Sequence, residues 1–156
     1  MARAKPPPPP TLVLLVRHGQ TPTTGKVLPG RAAGLHLADK GQQQAETVAE
    51  RIAALQTDKR KVAAIYASPL ERTQETAAPI AKALGLRVRR DRGLLEADFG
   101  EWTGAELKKL YKLPEWRTVQ RNPSGFRFPG GESFPEMQTR ICGAIDKLRL
   151  AHPGET

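Results

Sequence analysis

The sequence predicts an α/β fold, a three-layer α/β/α sandwich around a mainly parallel sheet. Three observations carry that expectation. Thr11-Leu-Val-Leu-Leu-Val16 is apolar without a break, the mark of a strand covered on both faces. Strand-like and helix-like segments alternate three times along the chain. The first two strand-like segments each run straight into a polar cluster, where open parallel sheets bind their ligands. A chain of 156 residues has length for one domain.

The elements follow in order. Pro6 to Pro10 is a polyproline run, so residues 1–10 read as an extended, disordered tail ahead of a domain over 11–156. The strand Thr11–Val16 stops at Arg17-His18-Gly19. Gly19, Pro22, Gly25, Pro29, Gly30 and Gly34 then mark a loop. Asp39 followed by Gln42 reads as a capping box for a helix to about Gln56, with Ala45, Val48, Ile52 and Leu55 on one face. Val62–Tyr66 reads as a second strand. In Ser68-Pro69-Leu70-Glu71, Ser68 reads as a helix cap, Pro69 as the first helical residue and Glu71 as the partner in the box. That helix runs towards Leu84, with a bend expected at Pro79 and a stop at Gly85. Leu86–Arg90 suits a strand near an edge.

From Gly93 to Gly131 the chain reads as loop, apart from a short helix around Ala105–Lys112. Ser133 and Glu136 form another capping box, opening a helix to about Leu150. Phe134, Met137, Ile141, Ile145 and Leu148 make its apolar stripe, and Cys142 beside it is expected to be buried and inert. His152-Pro153-Gly154 ends that helix.

Composition narrows the function classes. Twenty-five Lys and Arg against 16 Asp and Glu give a formal charge of +9, which draws anions. Arg87 to Arg92 is the densest basic run, but aromatic content of 5% leaves little for stacking on bases, so nucleic acid is not the expected partner. A single cysteine rules out an internal disulfide and fits a reducing compartment. No apolar run is long enough to span a bilayer, and prolines stand where a secretion signal needs an apolar segment. A cytoplasmic location is the expectation, with no membrane partner.

Two clusters fall where the sheet would bind ligands: Arg17-His18 after the first strand, and Ser68 to Arg72 after the second. Arg72 would sit in the first turn of a helix whose amino end itself favours anions. Guanidinium forks match phosphate oxygens in pairs. Two of them beside an imidazole suit a phosphate dianion. Each cluster taken alone reads as well as a solvated surface feature, and the residues by themselves leave both readings open.

Four stretches in order decide further. Arg17-His18-Gly19-Gln20-Thr21 resembles the RHG motif of the histidine phosphatase superfamily, which includes the cofactor-dependent phosphoglycerate mutases. Ala67 to Ala77 resembles that family's second-arginine segment, and Leu95 to Gly104 the segment carrying its acid. Pro129-Gly-Gly-Glu-Ser133, with Arg140 after it, resembles the start of its late helix. The resemblance implies a phosphohydrolase acting on small phosphorylated metabolites. His18 would be the nucleophile, forming a phosphohistidine. Arg17 and Arg72 would hold the phosphoryl oxygens, and Gln20 and Thr21 would line the substrate loop. Glu96 would be the acid and then the base, with Asp98 as second choice; pairing with a neighbouring arginine is its structural alternative. No metal or other cofactor is implied. A phosphomutase and a catalytically impaired phosphate-binding fragment are the alternatives, and the oligomeric state is left open.

Two departures stand out. Relatives carry a second catalytic histidine on a strand after the late helix; here the chain ends at Thr156, and His152 lies in the wrong element to replace it. The expected sandwich is therefore incomplete at its C-terminus, and the sequence reads as a fragment or a shortened product. Thr24 stands where many relatives have a phosphate-binding asparagine.

Overall fold

A computed structural model describes residues 10–57 and 61–156. The proline-rich tail, except for Pro10, lies outside the described residues. Helix α1 spans Asp39–Ala54. Strand β1, Ile65–Ala67, is followed by α2, Glu71–Leu84, and β2, Val88–Arg90. The strands pair in parallel, Ile65 opposite Val88 and Ala67 opposite Arg90. Parallel strands need a crossover, and α2 supplies it, packed against α1. Gly85 closes α2 in the left-handed conformation at φ 65°, and the helix passes through Pro79 without interruption.

Both helix starts differ from expectation. Ala38, not Asp39, precedes α1, with no side-chain cap; Asp39 lies inside the first turn, where its charge favours the helix's amino end. Leu70 precedes α2, so Ser68 and Pro69 stand outside it. Ser68 secures the turn instead, its carbonyl accepting from the Thr73 hydroxyl at 2.7 Å and the Gln74 amide at 2.6 Å.

Thr11–Val16 is not the buried strand its composition predicts. Leu12, Val13, Leu14 and Val16 are 40–45% exposed and Leu15 is 79% exposed. The physical reason is pairing: an apolar run is covered only when neighbours lie against it. Here Leu12 N–H donates to Glu155 O at 2.9 Å, and across a groove Ala63 N–H donates to Thr156 O at 2.7 Å. Residues 155–156 therefore lie between the two segments at one end. Beyond them Leu14, Val16, Ile65 and Ala67 face an open groove.

Among the described residues two clusters form the core. Ala49, Ile52 and Ile80 join α1 to α2, with Val48 and Ile65 packed on them; Leu55, expected on the same face, is 56% exposed. Trp102, Leu110, Phe126 and Phe128 form the second, flanked by Phe99, Trp116 and Phe134. Every aromatic residue except Tyr66 falls between Phe99 and Phe134. The stretch expected to be loop thus carries its own core. It holds α3, Leu107–Leu110, and an unforeseen α4, Pro114–Arg121. Proline at the first helical position followed by Glu115 was the available signal for α4.

The last helix, α5, spans Phe134–Ala151 and carries the expected capping box. Ser133 Oγ accepts from Glu136 N–H at 3.3 Å, and Glu136 Oε2 accepts from Ser133 N–H at 2.9 Å. Its apolar stripe is half-buried rather than buried. Cys142 is exposed, not buried: one residue past Ile141, it turns about 100° away from the stripe.

Candidate active site

The loop bearing His18 is seated on both helices. Gly19 N–H donates to Thr76 Oγ1 of α2 at 3.1 Å, and that hydroxyl donates to the Arg72 carbonyl at 2.7 Å. Gln20 N–H donates to Gln44 Oε1 of α1 at 2.9 Å, and Ala38 N–H donates to Gln20 O at 2.9 Å. Gly19 and Gly41 let the two backbones touch. A Cβ on Gly19 would lie 2.3 Å from Gly41 O, and one on Gly41 2.1 Å from Gln20 O.

His18 Nδ1 lies 2.8 Å from Gly19 O. A carbonyl only accepts, so Nδ1 is the donor in this contact, and in the neutral ring the lone pair is then on Nε2. The half-buried ring opens onto the groove and onto a second concavity lined by Arg17, Gln20, Thr24, Lys40 and Arg51. Arg17 is exposed at this mouth. Thr21 is buried and turned inward, its hydroxyl against those of Thr23 and Thr24 at 3.3 and 3.1 Å. Thr24 Oγ1 also accepts from Thr21 N–H at 2.9 Å, so it braces the loop.

Arg72 is 1% exposed. Its Nη2 donates to Gly30 O at 2.9 Å, while buried Nε and Nη1 have no partner among the described residues. Burial pushes the guanidinium below its ordinary value, and the carboxylates of Glu96 and Glu71 oppose that. A buried cation with two idle donors is costly unless an anion meets it.

Glu96 and Asp98 differ in their ties. Glu96 Oε1 accepts only from the adjacent Ala97 N–H, at 2.9 Å, among the described residues. Asp98 is engaged: Oδ2 takes Arg31 Nη1 at 3.2 Å and Oδ1 takes Gly100 N–H at 3.1 Å. Arg87, Arg89, Arg90 and Arg92, the expected structural partners of Glu96, make no ion pair with it among the described residues. The Glu96 carbonyl instead receives Arg31 Nε at 2.8 Å and Arg140 Nη2 at 3.3 Å. Arg31 carries no sequence signal, because it neither follows a strand nor opens a helix; Glu132 stands within the Pro129–Ser133 stretch, which by itself gives it no separate role.

The other histidines lie in separate pairings. His36 is exposed and bonded to Glu75, whose hydrogen bond and charge raise its pKa. Glu75 Oε2 also takes Leu37 N–H at 2.8 Å, and Glu71 Oε1 takes Gly34 N–H at 3.1 Å, tying loop 34–37 to α2. His152 Nε2 meets the Tyr66 hydroxyl at 2.9 Å and its Nδ1 meets Glu155 at 2.8 Å. Among the described residues no helix is long and apolar enough to cross a membrane.

Known proteins are similar to this chain in sequence and in fold. Phosphoserine phosphatase 1 of Hydrogenobacter thermophilus is 32% identical over 149 residues, covering 92% of this chain and 67% of that protein. Phosphoglycerate mutase-like protein 4 of Arabidopsis thaliana is 33% identical over 147 residues, covering 92% and 62%. The structure of a mycobacterial glucosyl-3-phosphoglycerate phosphatase superimposes with a TM-score of 0.73 at 29% identity, over 86% of this chain and 61% of that one. The chain thus spans 61% to 67% of the length of these relatives. The α/β architecture with its parallel strands is the one that solved structure has. The family model of the histidine phosphatase superfamily (branch 1) matches residues 13–156, from within the apolar run through α5, and to that superfamily the chain belongs.

Proposed function

We propose that the protein is a phosphohydrolase of small phosphorylated metabolites, working through a phosphohistidine on His18. The observation that carries this reading is Arg72: fully buried, its Nε and Nη1 idle, on the helix that receives the His18 loop. Kinship with proteins named as phosphatases supports it.

In the first step His18 Nε2 attacks phosphorus, the bond to the leaving oxygen breaks, and Glu96 gives that oxygen its proton. Arg72 and Arg17 hold the equatorial oxygens and offset the charge of a loose transition state. In the second step Glu96 takes a proton from water as it attacks phosphorus. The phosphorus–nitrogen bond breaks and inorganic phosphate departs. Gln20, at the mouth beside His18, contacts the substrate; Thr21 acts through the loop.

The test is transfer from a 32P-labelled phosphomonoester. Acid-labile label on His18, lost in His18→Ala together with p-nitrophenyl phosphate hydrolysis, is the expected result. Phosphate binding with no label and no turnover would instead make the chain a phosphate-binding protein.

A further inference from the structure

Two guanidiniums converge on one backbone carbonyl in this fold, and it belongs to Glu96. Arg31 Nε reaches Glu96 O at 2.8 Å and Arg140 Nη2 reaches it at 3.3 Å. Arg140 Nη1 also takes the carbonyls of Gly93 at 2.9 Å and Leu95 at 2.8 Å. Glu132 joins the two arginines. Its Oε1 lies 2.9 Å from Arg31 Nη2 and 2.8 Å from Arg140 Nε, and its Oε2 takes Arg140 Nη2 at 2.8 Å. Glu132 Oε2 also accepts from Asp98 N–H at 3.0 Å, and Glu132 N–H donates to Asp98 O at 2.9 Å. The backbone on both sides of Glu96 is thereby gripped, while among the described residues its carboxylate keeps only the Ala97 amide.

Arg31 has a second consequence through its neighbour. The preceding carbonyl, Gly30 O, is the one protein acceptor of the Arg72 guanidinium among the described residues. One dipeptide therefore touches both sides of the site: Gly30 holds the phosphate-facing arginine, and Arg31 holds the segment carrying the acid. Charged, planar, bidentate contacts keep such geometry better than neutral ones.

We infer that Arg31 and Glu132 are positioning residues, a clamp completed by Arg140 that sets the Glu96 carboxyl against the Arg72 pocket. The inference rests on the phosphohydrolase reading for its kinetic arm only.

Two measurements test it. In the first, Arg31→Met and Glu132→Gln are compared on two substrates. p-Nitrophenyl phosphate releases a phenolate that needs no proton; an alkyl phosphomonoester releases an alkoxide that does. A misplaced acid costs the alkyl substrate about tenfold more in kcat/KM than the aryl one, and Arg31→Lys recovers part of that gap. Equal losses on both substrates would overturn the clamp's catalytic role. The second is amide exchange by NMR, which needs no activity. Ala97 and Asp98 exchange about tenfold faster in both variants, while Ile80 and Ala81 on α2 keep their protection. Unchanged exchange at 97 and 98 would sink the inference outright. A wild-type chain inert on both substrates would instead count against the phosphohydrolase reading, with exchange still deciding the clamp.

Discussion

At the scale of single residues, burial gives Arg72 its meaning. An arginine in the first turn of a helix is ordinarily solvated, and its side chain is then interchangeable with lysine. Here the guanidinium is enclosed and only one of its three nitrogens has a protein acceptor among the described residues. Arg72→Lys keeps the charge but loses the fork, and is expected to lower kcat/KM about a hundredfold, with Arg72→Ala lower still. Steady-state kinetics with phosphate as competitive inhibitor checks this, because phosphate affinity should fall in the same order. Glu132 allows a second test. Arg140 and Arg31 hold its carboxyl down at about 2, against burial, which raises it. A depressed carboxyl contributes stability above its unfolded value near 4.5, and that stability is lost as pH falls towards 2. The melting temperature of the wild type should therefore drop more steeply between pH 5 and pH 2.5 than that of Glu132→Gln. Parallel curves would count against the ion cluster.

At the scale of elements, two helices are made to converge on one loop. Gly19 and Gly41 permit backbone contact that no side chain would allow, and Thr76 and Gln44 turn that contact into hydrogen bonds. Gly41→Ala should displace the His18 loop, costing about 2 kcal/mol or more by urea denaturation and, on the proposed function, most of the label transferred to His18. Wild-type stability in that variant would show that the two backbones do not pack this closely. The sequence signals for elements were uneven for physical reasons. The Ser133–Glu136 box is legible in the sequence because reciprocal capping is local chemistry. Asp39 and Ser68 are cap-forming residue types without the cap geometry: the helices start after Ala38 and Leu70, with no side-chain cap at either. The aromatic stretch from Phe99 to Phe134 looked like loop because its core is assembled from short turns with no single period.

At the scale of the whole molecule, the apolar run at residues 12–16 stands open along a groove, with Leu15 the most exposed. Contiguous exposed apolar surface of this kind binds hydrophobic dyes. Titration with 8-anilinonaphthalene-1-sulfonate should give strong fluorescence, reduced by Val13→Lys combined with Leu15→Lys while far-ultraviolet circular dichroism is unchanged. Equal fluorescence in the double variant would place the dye, and the exposed surface, elsewhere.

The amino-acid sequence by itself determined the kind of chain this is: helices alternating with the strands β1 and β2, their parallel pairing, and membership of its superfamily. It did so because periodicity, capping and motif spacing are written locally. Tertiary structure alone decided which charged residues are buried, which carboxylate is left without a cation, and whether an apolar run is covered. Those properties depend on what comes to lie beside a residue from far along the chain. Arg31, 65 positions from Glu96, grips it, and the Leu12 amide finds its acceptor at Glu155.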